Sequence, residues 1–424
     1  MRLTVARLGH LGDGLAEDAD GRPVFVPRTL PGEVVEGDPA AGRIAAPKIV
    51  APSPHRVRPA CPHYARCGGC ALMHADDGFV AAWKEDVVRR ALDAHGLSAP
   101  FRPMHVSPPA SRRRAVLGGR RTRAGVIVGF HAPGSDLLTP VQACRILHPE
   151  LRTALPVLER LTGIGGTRRG EISFTVTRSE TGLDVAARGG LPAEGARAAQ
   201  LAQEAARAGL ARLTWNGELL AQNVAPILRF GGAAVALPPG AFLQATADAE
   251  AALRAAVLEA VGPAARRVAD LFAGCGTFAL PLAARGAVHA VEGDAAMIAA
   301  LDAGWRGASG LKPVTTEQRD LFRRPLSAAE LARFDAVVID PPRQGAAAQT
   351  AEIAGSAVPV VTAVSCNPVS FARDAATLCA AGFRLDWVQV VDQFRWSAHV
   401  ELAARLSRPH MAPSTSTRPQ TESE

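Results

Sequence analysis

The C-terminal half of the chain predicts an open, doubly wound α/β sheet, and three observations carry that reading. From about residue 236 strand-like and helix-like periods alternate, as they do where crossover helices join parallel strands. The run Val268-Ala269-Asp270-Leu271-Phe272-Ala273-Gly274-Cys275-Gly276-Thr277 passes from an apolar strand through paired glycines into a helix, a loop on which a ligand can approach the backbone closely. Successive strand tips carry polar groups: this loop, Glu292, Asp320 and Asp340. A further run, Val360 to Val364, stops at Ser365-Cys366-Asn367-Pro368 and so delivers a thiol to the edge where open α/β sheets bind ligands.

In chain order, residues 1–55 are expected to form a small β-barrel, because short apolar runs (Leu3 to Leu8, Val24 to Val26, Glu33 to Val35) alternate with turns such as Gly12-Asp13-Gly14 and Leu30-Pro31-Gly32. Ala81 to His95 reads as a helix closed by Gly96. Between 100 and 235 hairpins and helices mix: Ile172 to Thr177 and Leu183 to Ala187 flank a turn at Ser179-Glu180-Thr181-Gly182, and Pro192 to Ala208 is helical up to Gly209. Thr246 to Val261 opens the α/β half as a helix. The polar tail from about residue 410 is expected to be disordered.

The strand tips narrow the chemistry. Glu292 follows the glycine loop by about twenty residues, where an acid commonly holds ribose hydroxyls. A nicotinamide dehydrogenase would share those two features but needs neither the Asp340-Pro341-Pro342 tip nor a cysteine on the next strand. S-adenosylmethionine has a ribose, an adenine and an amino-acid part to hold, and suits a row of polar tips better. A thiol beside such a cofactor implies covalent catalysis of a group transfer.

Seven cysteines in 424 residues do not make a disulfide framework. Cys61, Cys67 and Cys70 fall within ten residues, with Gly68 and Gly69 between the last two, and Cys144 lies far downstream. Three close thiols and a distant one suit a four-thiolate zinc site or a [4Fe–4S] cluster, and spacing leaves both open. His63 and His74 lie near enough to replace a thiol at zinc. Cys275 and Cys379 read as packing residues.

Hydrophobic residues make up 48% of the chain and charged residues 21%, values of an ordinary folded protein with an ample core. The net charge is +7 and nearly all cations are arginine, Lys48, Lys84 and Lys312 being the lysines. Arg102, Arg112, Arg113, Arg114, Arg120, Arg121 and Arg123 follow one another with no acid between them, which suggests contact with a polyanion. No apolar run reads as a secretory signal or is long enough to span a membrane, so a cytoplasmic enzyme is expected.

Together these segments resemble the RumA/RlmD-type RNA uracil-5-methyltransferases, bacterial 23S rRNA enzymes that make 5-methyluridine, over nearly the whole chain. Val24-Phe25-Val26-Pro27 and Leu30-Pro31-Gly32-Glu33 are similar to that family's TRAM domain, an RNA-binding barrel. The cysteine set resembles its [4Fe–4S] ligands. Phe242-Leu243-Gln244, Ser365-Cys366-Asn367-Pro368 and His399-Val400-Glu401 resemble its active-site glutamine, nucleophile and general-base motifs.

The resemblance implies a TRAM-like, OB-like barrel over 1–55 and an α+β RNA-binding domain with the cluster on Cys61, Cys67, Cys70 and Cys144 over 56–235. A class I, Rossmann-like S-adenosylmethionine-dependent methyltransferase domain would follow over 236–409, and then the tail, 410–424. It implies Cys366 as nucleophile, Glu401 as base and Asp340 as a further catalytic group, with Gln244, Phe272, Thr277, Glu292, Asp320 and Asp340 around the cofactor. A monomer acting on 23S rRNA is expected. The alternatives are the same chemistry on tRNA, or a catalytically silent, metal-containing RNA-binding protein. The arginine stretch and the barrel would hold phosphates, and Phe394 and Trp396 would stack a base, with core packing the equal alternative for Phe394.

Three positions depart from the family pattern: Thr246 where members usually have Asn, Phe394-Arg395-Trp396 where they have Phe-Pro, and Ser370 where they have Thr. Arg343 after Asp340-Pro341-Pro342 argues against two related chemistries. Cytosine-5 enzymes usually carry a cysteine beside that tip, and amino-methyltransferases an aromatic residue after it.

Overall fold

The computed structural model describes residues 1–408, so the tail expected from residue 410 lies outside the described residues. An eight-stranded sheet runs in the order Val314–Gln318, Ala287–Glu292, Arg267–Leu271, Ala336–Ile339, Val360–Ser365, Leu402–Ser407, Arg384–Asp392, Phe101–Val106. The first five strands are mutually parallel, and Leu402–Ser407 is antiparallel to both of its neighbours. Parallel strands are covered on both faces, which is why they read as apolar runs; all four residues of Ala336–Ile339 are buried. Leu253, Val257 and Leu301 pack in the core that includes helix Ala247–Val261, and Val88, Ile353 and Leu378 in the second large core. Chain order reverses between Arg267–Leu271 and Ala336–Ile339, and that switch point opens a crevice at the carboxyl edge.

Phe101–Val106 lies in the segment expected to belong with the central region, yet it pairs in parallel with Arg384–Asp392 as the edge strand of this sheet. Thr246, the departure from Asn, caps helix Ala247–Val261: its hydroxyl accepts from the Ala249 amide at 3.2 Å and shares a 2.8 Å hydrogen bond with Ser107 Oγ. Such a cap contributes about 1 kcal/mol, and threonine fills it well.

Ahead of this sheet lie two β-rich regions. At the N-terminus two three-stranded antiparallel sheets enclose Leu3, Val5, Val26, Val35 and Ile44. The run Leu3 to Leu8 divides at Val5-Ala6 into Arg2–Thr4 and Arg7–Leu8, one strand for each sheet. The second region is a seven-stranded sheet from Arg114–Thr122 to Glu218–Gln222, packed with helices Leu155–Gly165 and Gly195–Arg207. Its Ile172–Ser179 and Gly182–Arg188 hairpin turns tightly through Glu180-Thr181.

Part of the arginine-rich stretch is engaged within the protein, which narrows the set free to hold phosphates. Arg113 is 5% exposed, pairs with Glu250 and donates to the Gln244 carbonyl at 3.2 Å. Arg102 pairs with Glu259 at 2.7 Å and lies over Trp387, while Arg120 pairs with Glu171 at 3.0 Å. Arg114 donates to the Ala241 carbonyl at 2.9 Å. Of the seven, Arg121 and Arg123 are exposed. Removing one partner of a buried ion pair costs about 3–5 kcal/mol, so Arg113→Ala should sharply lower the urea midpoint of unfolding. Arg123→Ala should stay within about 0.5 kcal/mol of the parent.

Candidate active site

Cys366 is the first residue beyond strand Val360–Ser365. Ser365 pairs with Leu402 on the antiparallel neighbour, so continuing the register by one step sets Cys366 opposite Glu401. The Cys366 tip is fastened to the Asp340-Pro341-Pro342-Arg343 tip: Asn367 Nδ2 and Ser370 Oγ both donate to the Arg343 carbonyl, at 2.8 and 3.0 Å. Ser370 makes that bond through a hydroxyl, the group a threonine would also offer.

Glu401 and Gln393 are each 3% exposed. Gln393 Nε2 donates to Glu401 Oε2 at 2.8 Å and to Gln244 Oε1 at 2.6 Å, and the Ala245 amide donates to Gln393 Oε1 at 2.6 Å. Gln244 Nε2 reaches Asp340 Oδ2 at 3.4 Å. Two amide side chains therefore link the two carboxyls. Sequence reasoning missed Gln393; it stands alone between two strands, and only folding brings it beside Gln244.

His399 and Glu401 do not share a strand face as expected. The strand begins at Leu402, His399 is exposed and Glu401 is buried. His399 accepts from Arg343 Nη2 at 2.7 Å, and partial desolvation of the ring by the surrounding protein together with the Arg343 charge lowers its pKa to about 4.

The three central groups oppose one another's ionisation. Burial first, then the Glu401 and Asp340 carboxylates, push the Cys366 thiol up to about 11, with Arg343 opposing. Burial and Glu292 raise Asp340 to about 7. Burial and Asp340 raise Glu401 well above the ordinary carboxylate range, against the Gln393 amide and Arg343. An anion beside a thiol disfavours the thiolate. Asp340→Asn and Glu401→Gln should therefore each lower the pH midpoint of Cys366 alkylation by about one unit. Arg343→Gln should raise it. Iodoacetamide labelling of the Cys366 peptide across pH, read by mass spectrometry, checks all three.

Beside this group lies the crevice at the switch point. Its loop carries Phe272, Gly274 and Gly276 at φ of +61°, +56° and +98°. A side chain at Gly276 would also strike Leu280, 2.8 Å from an added Cβ. Glu292 accepts from the Gly274 and Asp294 amides, both at 2.9 Å, so it braces the loop from the neighbouring strand tip. The Phe272 and Phe322 rings lie 5.3 Å apart and offer an apolar wall, with Asp320 exposed at the adjoining turn and Thr277 half-buried in the loop. Asp270 is fully buried with neither carboxylate oxygen hydrogen-bonded, and burial and Asp340 push its pKa far up. An acid inside an otherwise apolar strand was the signal for it.

Trp396, expected to stack a base, is buried in a cluster with Tyr64 and Met73. Phe394 is half-buried with its ring edge-on to His399 at 5.7 Å.

Cys61, Cys67, Cys70 and Cys144 line one small pocket together with His63. A side chain at Gly68 would meet the His131 carbonyl, 2.7 Å from an added Cβ, so the tight wrap needs that glycine. Burial and the neighbouring thiols raise Cys67, Cys70 and Cys144. Sulfurs of Cys67 and Cys144 accept from the Gly69 and Ile146 amides at 3.3 and 3.5 Å. His63 Nε2 accepts from the Ala143 amide at 3.1 Å, and His74 Nδ1 lies 2.6 Å from the Tyr64 hydroxyl, away from the pocket. Among the described residues no three Cys, His, Asp or Glu side chains stand close enough together to hold a single metal ion.

This arrangement has relatives. The family model described as tRNA (Uracil-5-)-methyltransferase matches residues 307–409. An "Uncharacterized RNA methyltransferase" of Caulobacter vibrioides is 47% identical over 416 residues, 96% of this chain and 99% of that protein. The 23S rRNA (uracil(1939)-C(5))-methyltransferase RlmD of Chromohalobacter salexigens is 35% identical over 428 residues, covering 96% of this chain and 89% of its own. In fold, the chain is similar to the Pyrococcus abyssi tRNA (uracil-54, C5)-methyltransferase solved with S-adenosyl-L-homocysteine, with a TM-score of 0.74 at 21% identity over 96% of this chain and 99% of that one. The chain accordingly belongs to the RNA (uracil-5-)-methyltransferase family and is an S-adenosylmethionine-dependent enzyme of that type.

Proposed function

We propose that methyl transfer to uracil C5 runs through a bond between Cys366 and C6 of the target base, with Glu401 removing the C5 proton. What supports this is the pairing of Ser365 with Leu402, which continued by one step sets Cys366 opposite Glu401. Uracil C5 is a weak nucleophile. Attack of the Cys366 thiolate at C6 forms an S–C6 bond and moves the C5=C6 electron pair into an enolate, which makes C5 nucleophilic. Bound S-adenosylmethionine supplies the methyl group as an electrophile on a sulfonium. Gln244, Phe272, Thr277, Glu292, Asp320 and Asp340 would hold it. Glu401 then accepts the C5 proton, the C5=C6 bond re-forms, and the Cys366 sulfur leaves as thiolate. Asp340, raised to about 7 by burial and Glu292, would meet the pyrimidine edge as donor or acceptor.

The four cysteines suit a [4Fe–4S] cluster better than one zinc ion, because they ring a pocket without crowding a single point and two already accept backbone N–H groups. Methyl transfer is redox-neutral, so the cluster would close the fold of this segment. Iron and sulfide analysis of anaerobically purified protein checks the assignment. The N-terminal β-rich region would serve as the TRAM-like RNA-binding barrel of a 1–55, 56–235 and 236–409 division, with Phe101–Val106 lent to the last.

The family description favours a tRNA uridine as the target. The RlmD relative favours the second reading, a 23S rRNA uridine. Unmodified transcripts of both, incubated with the protein and methyl donor and digested to nucleosides, decide between them. 5-Methyluridine in tRNA alone supports the first and in 23S rRNA alone the second. Its absence from both contradicts the proposal.

A further inference from the structure

The segment from Gln393 to Val400 has no regular structure, yet it carries Gln393 at one end and leads into Glu401 at the other. An irregular loop cannot hold a base within a few tenths of an ångström by its own hydrogen bonds, so the groups that fasten it matter. They come from outside the strands that bear the site. Lys84, fully buried on helix Asp77–Asp93, donates to Asp392 Oδ1 at 2.6 Å and to the Phe394 carbonyl at 3.1 Å. Asp77, at the start of the same helix, pairs with Arg395 and accepts from Trp396 Nε1 at 3.2 Å. The Trp396 carbonyl accepts from both the Ala71 and Leu72 amides at 2.8 Å, the two residues directly after Cys70. Trp396 takes a φ of +60°, a conformation an indole side chain adopts only when its surroundings over-determine it. Its ring packs with Tyr64 and Met73 against Cys61 and Cys70.

We propose that Asp77, Lys84 and Trp396 form a clasp that ties the cysteine pocket to the loop and so sets the position of Gln393 and, through it, Glu401. These are positioning residues: each acts through side-chain and backbone contacts of residues 392–396. Arg395 and Trp396, in the Phe394-Arg395-Trp396 stretch where the family has Phe-Pro, supply two of the clasp's contacts. The inference rests on the proposed role of Glu401, because a misplaced base delays one step only. Attack by Cys366 and methyl transfer precede proton removal and do not draw on Glu401 as a base. Loosening the clasp should therefore leave enzyme and methylated RNA joined through Cys366, waiting for the proton to leave.

The test uses the full chain with three variants: Trp396→Ala, Trp396→Phe and Asp77→Ala. Asp77 is exposed, so its replacement cuts two clasp contacts with the least risk to folding. Each variant is assayed for thermal unfolding, for trapping on 5-fluorouridine RNA, where no C5 proton exists to remove, and for turnover and denaturant-stable adduct on ordinary RNA. Trp396→Ala and Asp77→Ala should trap 5-fluorouridine RNA at the parental rate. On ordinary RNA their turnover should drop about tenfold as adduct accumulates, since small misplacements of a catalytic group cost on that order. Trp396→Phe, which keeps ring packing and the carbonyl, should recover most of the turnover. Parental turnover in Asp77→Ala, or turnover and 5-fluorouridine trapping falling together in a folded variant, would overturn the clasp. Failure of the parent protein itself to trap 5-fluorouridine RNA would instead remove the Cys366 mechanism, and the clasp with it.

Discussion

Cys366→Ala should abolish methyl transfer, lowering turnover by about 10⁴-fold or more, the scale on which loss of a covalent nucleophile acts. Cofactor binding and thermal stability should stay at parental values. The thiol is half-exposed at a strand tip whose fastening runs through Asn367 and Ser370, so truncating it opens no core cavity. The large effect follows because no neighbouring group can replace the sulfur. Burial raises both carboxyls, Asp340 with help from Glu292 and Glu401 with help from Asp340, and His399 is turned to Arg343. Cys366→Ser should be nearly as inactive, because a hydroxyl ionises far less readily than a thiol. Tritiated methyl transfer to RNA, beside calorimetric cofactor binding, measures both halves.

Glu401→Gln should lower turnover by about 10²- to 10⁴-fold, the range for removing a general base, and convert the enzyme into a trap. Unlike Cys366→Ala it should still attack and methylate, so a covalent complex should build up on ordinary RNA. The amide keeps the size of the carboxyl and can still meet Gln393, which makes loss of structure an inadequate explanation of a large effect. The pH profile adds a sign. Proton removal needs Glu401 ionised, and burial with Asp340 raises its pKa, so parental turnover should fall as pH is lowered from the alkaline side. In Glu401→Gln the share of that limb owed to Glu401 should disappear, leaving the share owed to Cys366 ionisation. Gel analysis of the complex under denaturing conditions and initial rates from pH 6 to 9 are the measurements.

How much of this was legible in the sequence depends on the range of each interaction. The glycine loop, Glu292, Asp340 and Cys366 were legible because each βα unit carries its own period and ends its own strand, a local property. The pairing of Phe101–Val106 with Arg384–Asp392 was not, because nothing near residue 101 records a partner almost three hundred residues away. The ion pairs of Arg113, Arg102 and Arg120 were not legible for the same reason: Glu250, Glu259 and Glu171 lie far along the chain. Trp396 was read as a stacking residue because an aromatic near a catalytic motif suggests a base, whereas its ring fills the space beside the cysteine pocket. Gln393 had no pattern of its own; its meaning is its contact with Gln244, made across 149 residues.

One trapped complex tests the covalent route through Cys366 most directly. Incubate the protein with S-adenosylmethionine and target RNA carrying 5-fluorouridine, digest with protease and nuclease, and locate the nucleotide-bearing peptide by mass spectrometry. A methylated fluorouridine on the peptide containing Cys366, absent from Cys366→Ala, is the predicted result. No adduct, or one attached to any other residue, would contradict it.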